Sequence, residues 1–268
     1  MQDKVVIITG ATSGIGRACA EKLGKEGAIV VFTGRSKDRL EEVKKSLSDM
    51  GVEHTGYIMD VSDEKENIKL IEETVKKYGK IDVLINNAGI SMRALFNDSD
   101  LDVFKKVMDI NFYGAVYATK YALPHIIKSK GTIVGVSSIN GHRGTPARSA
   151  YSASKYAMEG FFEALRTEVM NLGVHVLVVS PGFTGTNIRN AALNKDGVAQ
   201  GESPRDEDKM MSSEKVAESI FMGIKRKKRD IILTSQGKLV DFLNKWIPGW
   251  MDKKVYEHMA NEKNSPFT

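Results

Sequence analysis

The chain has 268 residues, 41% of them hydrophobic, with a formal net charge of +5 and one cysteine, Cys19. That length and apolar share support a single globular α/β domain and exclude a disordered or collagen-like chain. The lone thiol excludes an internal disulfide, and no apolar run approaches the ~20 residues of a membrane helix.

Val5–Ile8 reads as the first strand, and Met1-Gln2-Asp3 enters it without a basic leader, so a cytoplasmic protein is expected. The strand runs into Thr9-Gly10-Ala11-Thr12-Ser13-Gly14-Ile15-Gly16, and a helix is expected from Arg17. Glycines between a strand and a helix permit a tight turn, and the helix N-terminus offers free N–H groups to a pyrophosphate. Gly10, Thr12, Ser13, Gly14, Ile15 and Gly16 are therefore candidate cofactor contacts. Cys19 falls in the apolar stripe of this helix and reads as a small core residue.

A second strand over 28–33 ends at Gly34-Arg35-Ser36, where a dinucleotide site reads the adenosine ribose. No acid stands there to repel a 2′-phosphate, and a guanidinium can bind one bidentately. Arg35 and Ser36 thus favour NADP over NAD; the alternative is an Arg35 stacked on adenine, tolerant of both. After a helix over 37–50, a third strand over 55–59 closes on Asp60-Val61, where a carboxylate can meet the adenine amino group. The helix Glu64–Tyr78 leads to a strand over 83–85, closed by Asn86-Asn87-Ala88-Gly89. Asn87, Ala88 and Gly89 let the backbone approach a second ribose. Each segment alone could be turn chemistry.

One long helical pattern covers 101–128 and holds Asn111, either at a kink that seats a water or facing solvent. Thr132–Val136 is a fifth strand, closed by Ser137-Ser138, and a helix over 151–171 opens on Tyr151-Ser152-Ala153-Ser154-Lys155. Tyr151 and Lys155 share a helix face with Cβ atoms about 5–6 Å apart. A phenol with pKa ~10 is a poor acid-base group near neutrality. A cation at ~5 Å in an effective dielectric of ~20 favours phenolate by roughly 3 kcal/mol, about 2 pKa units. Tyr151 is read as proton carrier, Lys155 as its tuner and ribose anchor, and Ser138 as the group orienting a carbonyl oxygen. No metal is expected.

A sixth strand over 175–179 ends in Pro181-Gly182-Phe183-Thr184-Gly185-Thr186, with backbone groups for a nicotinamide amide and the Thr184 and Thr186 hydroxyls for phosphate. The polar stretch 190–211 reads as a flap over substrate or as a surface loop. A last strand, 231–233, follows the basic run Lys225-Arg226-Lys227-Lys228-Arg229. In 238–259, Leu239, Phe242, Leu243, Trp246, Ile247 and Trp250 recur at helical spacing around Pro248. Such a face beside basic residues suits a membrane surface, the protein's own core or another subunit.

Regular strand-helix alternation predicts a Rossmann-type doubly wound parallel sheet of seven strands. Residues 1–234 would form the catalytic unit and 235–268 an amphipathic helical extension of it. Thr9-Gly10-x-x-x-Gly14-Ile15-Gly16, Asn86-Asn87-Ala88-Gly89, Asn111, Ser138, Tyr151-x-x-x-Lys155 and Pro181-Gly182 together resemble the short-chain dehydrogenase/reductase family. The resemblance implies Ser-Tyr-Lys-Asn catalysis of ketone-alcohol interconversion, a Rossmann-type sheet of seven strands, and a homodimer or homotetramer. Ser137 through Gly141, Arg148 through Tyr151, Phe161 through Arg166 and the basic tail look similar to members acting at membranes on lipid-like or steroid-like ketones. A small-molecule ketone or alcohol is then the expected partner, and no nucleic-acid motif is present. The reading from another class is a non-catalytic nucleotide sensor, or a membrane-peripheral interaction protein, on the same fold.

Overall fold

The computed structural model describes residues 1–201, 210–262, 265 and 267. Short β-branched runs form β1 (Val5–Ile8), β2 (Ile29–Gly34), β3 (His54–Ile58), β4 (Val83–Asn86), β5 (Thr132–Val136), β6 (His175–Ser180) and β7 (Asp230–Ile232). They pair in parallel in the order β3-β2-β1-β4-β5-β6-β7, giving one Rossmann-type sheet of seven strands. In the central register Val6 lies between Val30 of β2 and Val83 of β4. β1, β4 and β5 are buried throughout, as expected of strands covered on both faces.

Helices α1 (Gly14–Lys25), α2 (Lys37–Asp49) and α7 (Ser213–Lys225) cover one face, around Leu23, Leu40 and Ile220. Helices α3 (Glu64–Tyr78), α5 (Gly114–Ser129) and α6 (Ser149–Glu168) cover the other, around Ile71, Ile126 and Phe162. The chain first builds outward from β1 to β3, then returns to place β4 on the far side of β1. This reversal opens a crevice at the carboxyl ends of β1 and β4, where such sheets bind ligands. Cys19 is buried in the α1 layer, and burial pushes its thiol up to about 12.

Helix boundaries differ from the periodicity in four places, each with a local cause. α1 opens at Gly14 rather than Arg17, because Ser13 is already its extended N-cap residue. The pattern over 101–128 divides into α4 (Leu101–Met108), a π turn at Asp109–Tyr113, and α5. α6 starts two residues before Tyr151 and gives way after Glu168 to a 3₁₀ turn, Met170–Leu172. The tail divides into α8 (Ser235–Trp246) and α9 (Pro248–Ala260), broken at Ile247 with φ −136° and ψ 57°. Pro248 lacks the N–H to continue α8 but is suited to the first turn of α9.

Candidate active site

A cleft of about 1100 Å³ runs along the carboxyl edge of the sheet. At one end lies the glycine loop. Gly10 has φ +65°, and a Cβ there would stand 2.7 Å from Ala88 Cα. A Cβ on Gly34 would stand 2.1 Å from Thr12 Cγ2, so the end of β2 admits no side chain there. Thr9 Oγ1 accepts from the Asn87 and Ala88 amides at 3.0 and 3.1 Å. Asn87 Nδ2 donates back to the Thr9 and Gly10 carbonyls at 2.9 and 3.0 Å. Asn87 is thus a brace of the loop as well as a wall of the cleft. Gly16 does not line the cleft; a Cβ there would lie 2.5 Å from Asn87 Nδ2, so its role is to let that brace close.

Gly10, Thr12, Ser13, Gly14, Ile15, Arg35, Ser36, Asp60, Val61, Asn87, Ala88 and Gly89 all line this end. Ser13 makes no side-chain cap bond to α1, so the first-turn amides and the hydroxyl are available to an anion. Arg35 and Arg39 are both exposed on the cleft. Arg39 went unread in the sequence although it stands four residues beyond Arg35, one turn into α2. At Asp60 burial pushes the carboxyl up. The Ser62 hydroxyl and amide at 2.7 and 3.0 Å, with Arg35 and Lys106, outweigh it and hold the pKa low. A carboxylate, two guanidinium groups and an open helix end fit a dinucleotide.

Midway along the cleft α6 brings Tyr151 and Lys155 beside the end of β5. The Ser138 side chain stands close enough to the Tyr151 phenol to pull its pKa down. Lys155 Nζ lies 5.8 Å from the Tyr151 ring centre and donates to the Val136 carbonyl at 2.8 Å. Burial pushes the Lys155 ammonium down to about 8. The expected tuning is not what these residues alone produce. Burial dominates at Tyr151 and raises the phenol; Ser138, Arg148 and Arg189 pull it back, and Lys155 is not among the counterweights.

Asn111 is fully buried, which overturns the solvent-facing alternative. It sits in the π turn, does not line the cleft, and clamps Ile90. Its Oδ1 accepts from the Ile90 amide at 2.7 Å, and its Nδ2 donates to the Ile90 carbonyl at 2.9 Å and Ser154 Oγ at 2.9 Å. The extra residue per turn aims this side chain at the end of β4. Ser154, inside the Tyr-x-x-x-Lys spacing, is its partner in α6; one apolar-polar pattern could not reveal that pair.

Pro181, Gly182, Phe183, Thr184 and Thr186 line the far wall, with the Thr186 side chain against Gly14. The described part of 190–211 is stitched to the segment after β4, with Arg93 N donating to Leu193 O at 2.8 Å and Leu193 N to Ser91 O at 2.9 Å. Residues 202–209 of the expected flap lie outside the described residues. The remaining wall comes from the tail. Val240, Leu243, Met251, Val255 and Met259 face the cavity. Arg143 donates to Asn244 Oδ1 at 3.2 Å and Asp252 Oδ1 at 2.7 Å. His142 lies 3.3 Å from both Glu159 and Asp241, and the Glu159 contact raises its pKa despite burial. Farther on, Arg93 pairs with Glu262 at 3.3 Å, both side chains nearly inaccessible.

Comparison with known proteins agrees with this geometry. Residues 4–197 match the short chain dehydrogenase family. The chain is 40% identical over 239 residues to Dehydrogenase/reductase SDR family member 7B of Mus musculus, covering 87% of this chain and 74% of that one. It is 38% identical over 272 residues to Dehydrogenase/reductase SDR family protein 7-like of Drosophila melanogaster, covering 98% and 83%. A short chain dehydrogenase/reductase from Burkholderia phymatum in complex with NAD superposes with a TM-score of 0.77 at 25% identity, covering 86% and 89% of the two chains. An alcohol dehydrogenase from Thermococcus sibiricus complexed with 5-hydroxy-NADP shares the fold, with a TM-score of 0.76 at 24% identity over 87% and 96%.

Proposed function

The chain belongs to the short-chain dehydrogenase/reductase family and is an NAD(P)-dependent oxidoreductase, and from that premise we propose that it interconverts an apolar ketone and its secondary alcohol with NADP. The observation that carries the reading is the meeting of Ser138, Tyr151 and Lys155 at the middle of a cleft whose two ends differ in chemistry. One end offers amides and guanidinium groups; the other is walled by aliphatic side chains. Arg35 and Arg39, beside β2, support the preference for a 2′-phosphate.

The glycine loop, Asp60, Asn87 through Gly89, and Pro181 through Thr186 would hold a nicotinamide cofactor, which would supply or accept hydride at the substrate carbon. Tyr151 Oη gives its proton to the carbonyl oxygen in reduction and takes it back in oxidation. The Ser138 hydroxyl holds that oxygen within reach. Lys155, already donating to the Val136 carbonyl and the Met158 sulfur, has one N–H left for a ribose hydroxyl. Asn111 fixes the Ile90 backbone in the wall of the cleft and acts on the reaction only by positioning. The raised Tyr151 phenol favours the protonated acid, which suits reduction.

In this reading residues 1–234 form the catalytic unit and 235–268 extend it over the substrate. The proposal also includes a cytoplasmic location, a homodimer or homotetramer, and contact of the tail with a membrane surface. Among the described residues no helix is long and apolar enough to cross a membrane. The test is a panel of ketones and alcohols offered with NADPH/NADP and NADH/NAD to the wild type and to Tyr151→Phe. Turnover of apolar ketones with NADPH is expected, with kcat lowered about 10²–10⁴-fold in Tyr151→Phe and nucleotide binding kept. Unchanged turnover in that variant defeats the acid-base assignment; activity confined to NADH defeats the Arg35 assignment.

A further inference from the structure

α8 and α9 are amphipathic in an unusual sense, because the polar side chains hold them to the core while large apolar ones stand on both sides. Val240, Leu243 and Met251 face the cavity. On the outside, Phe242 is 57% exposed and Trp246 73%, with Ile247 and Trp250 also exposed around the corner between the helices. The acidic side chains are paired, Asp241 with His142 and Lys245 and Asp252 with Arg143. Lys238 and Lys253 remain exposed on the same two helices as the aromatic residues, whereas Lys245 is held by Asp241. The run Lys225 to Arg229, expected to act with this face, belongs elsewhere: it joins the opposite end of β7 from α8, and Arg229 pairs with Glu163 and Asp230.

Two residues belong to both surfaces. Leu239 and Trp250 are exposed on the outer patch and also line the cavity. They form its lip. Aromatic and branched side chains edged by lysines suit the boundary between headgroups and acyl chains, where one end of a ring is wet and the other apolar. Lysines near an anionic surface add attraction that salt weakens. We propose that the α8–α9 corner docks on a lipid bilayer bearing anionic headgroups, so that the apolar substrate passes from the bilayer over Leu239 and Trp250 into the cavity. The route rests on the reductase reading above; the docking does not.

Trp246 and Trp250 are the chain's two tryptophans, so intrinsic fluorescence reports on this corner alone. The experiment mixes the full chain with vesicles of phosphatidylcholine, with or without phosphatidylserine, and follows emission and co-sedimentation without any substrate. A blue shift, quenching by brominated acyl chains and stronger binding to the phosphatidylserine vesicles at low salt are expected. Phe242→Ser with Trp246→Ser should weaken vesicle binding about tenfold or more, with Trp250 as reporter, while Trp246→Phe keeps it. Neither Phe242 nor Trp246 lines the cavity, so nucleotide binding is unchanged in the double variant and shows that it folds. Two results overturn the docking. One is an unaltered spectrum and no sedimentation with either vesicle; the other is a dimer of the free protein that the double variant dissociates, which would mean a second copy covers the patch. Vesicle binding without turnover on any ketone defeats the reductase reading instead, and turnover of dissolved ketones without vesicle binding defeats only this one.

Discussion

At the residue scale the decisive side chain is Lys155, a cation 3% exposed and held by the Val136 carbonyl and, at 3.5 Å, the Met158 sulfur. Its pKa of about 8 in the fold lies below the ordinary lysine value of 10.5, so the unfolded chain binds more protons between those values and stability rises with pH across that window. At pH 7 the charge costs on the order of 3 kcal/mol, less about 1 kcal/mol that the bond to Val136 returns. Lys155→Met should therefore raise Tm by several degrees at pH 7 while abolishing activity. The gap between variant and wild type should narrow as the pH approaches 10. Thermal denaturation at pH 7 and 9.5 checks this, and a variant no more stable than wild type at pH 7 contradicts the burial cost. The sequence announced Lys155 by its spacing from Tyr151, but not its burial, which depends on Val136 at the end of β5, 19 positions away, as well as on Met158 one turn along α6.

At the scale of elements, the tail is held over the cavity by a small charged latch. His142 follows the 3₁₀ turn begun by Ser138 and lies between Glu159 of α6 and Asp241 of α8, with Ser180 Oγ at 2.9 Å and Lys245 nearby. Its pKa is raised, mainly by Glu159, so the stability it lends is complete below the ordinary histidine pKa and is lost as pH rises through the folded value. Amide exchange in α8, corrected for the intrinsic effect of base, should accelerate between pH 6 and pH 9 in the wild type and show no such step in His142→Asn. Identical profiles would remove His142 from the latch. Strand positions were legible to within one residue because period and apolar runs are local properties. The latch was not: Arg143 and Asp252 lie 109 positions apart, and nothing in either neighbourhood marks the other. An irregular turn at Asn111 was one of the two readings open there, but its partner was hidden for the same reason, since Ile90 lies 21 positions away.

For the molecule as a whole, nucleotide binding and folding are one equilibrium. A ligand at 100 times its Kd adds about 2.7 kcal/mol to stability, which for a chain of this size is a Tm increase of roughly 5–10 °C. NADPH should give a larger shift than NADH at equal concentration, and Arg35→Ala should erase the difference. Equal shifts in the wild type would leave the cofactor preference without support. The doubly wound topology and the nucleotide crevice could be read in advance because glycines, amides and strand ends follow one another in order along the chain. The substrate wall could not, because it is assembled from the end of β5, the segment after β6 and two tail helices whose facing depends on Pro248 and the latch.

That assembly has a consequence for the order in which the protein comes into being. The nucleotide end of the cleft is complete in sequence once Thr186 has been added, whereas Glu262, the last of the described residues to line the cavity, is still to come. The interval between them is about 75 residues, on the order of ten seconds at ordinary rates of translation. During it the substrate side stays open to water, and the sheet face under α1 stays uncovered until α7 has followed, so a cofactor held firmly requires most of the chain.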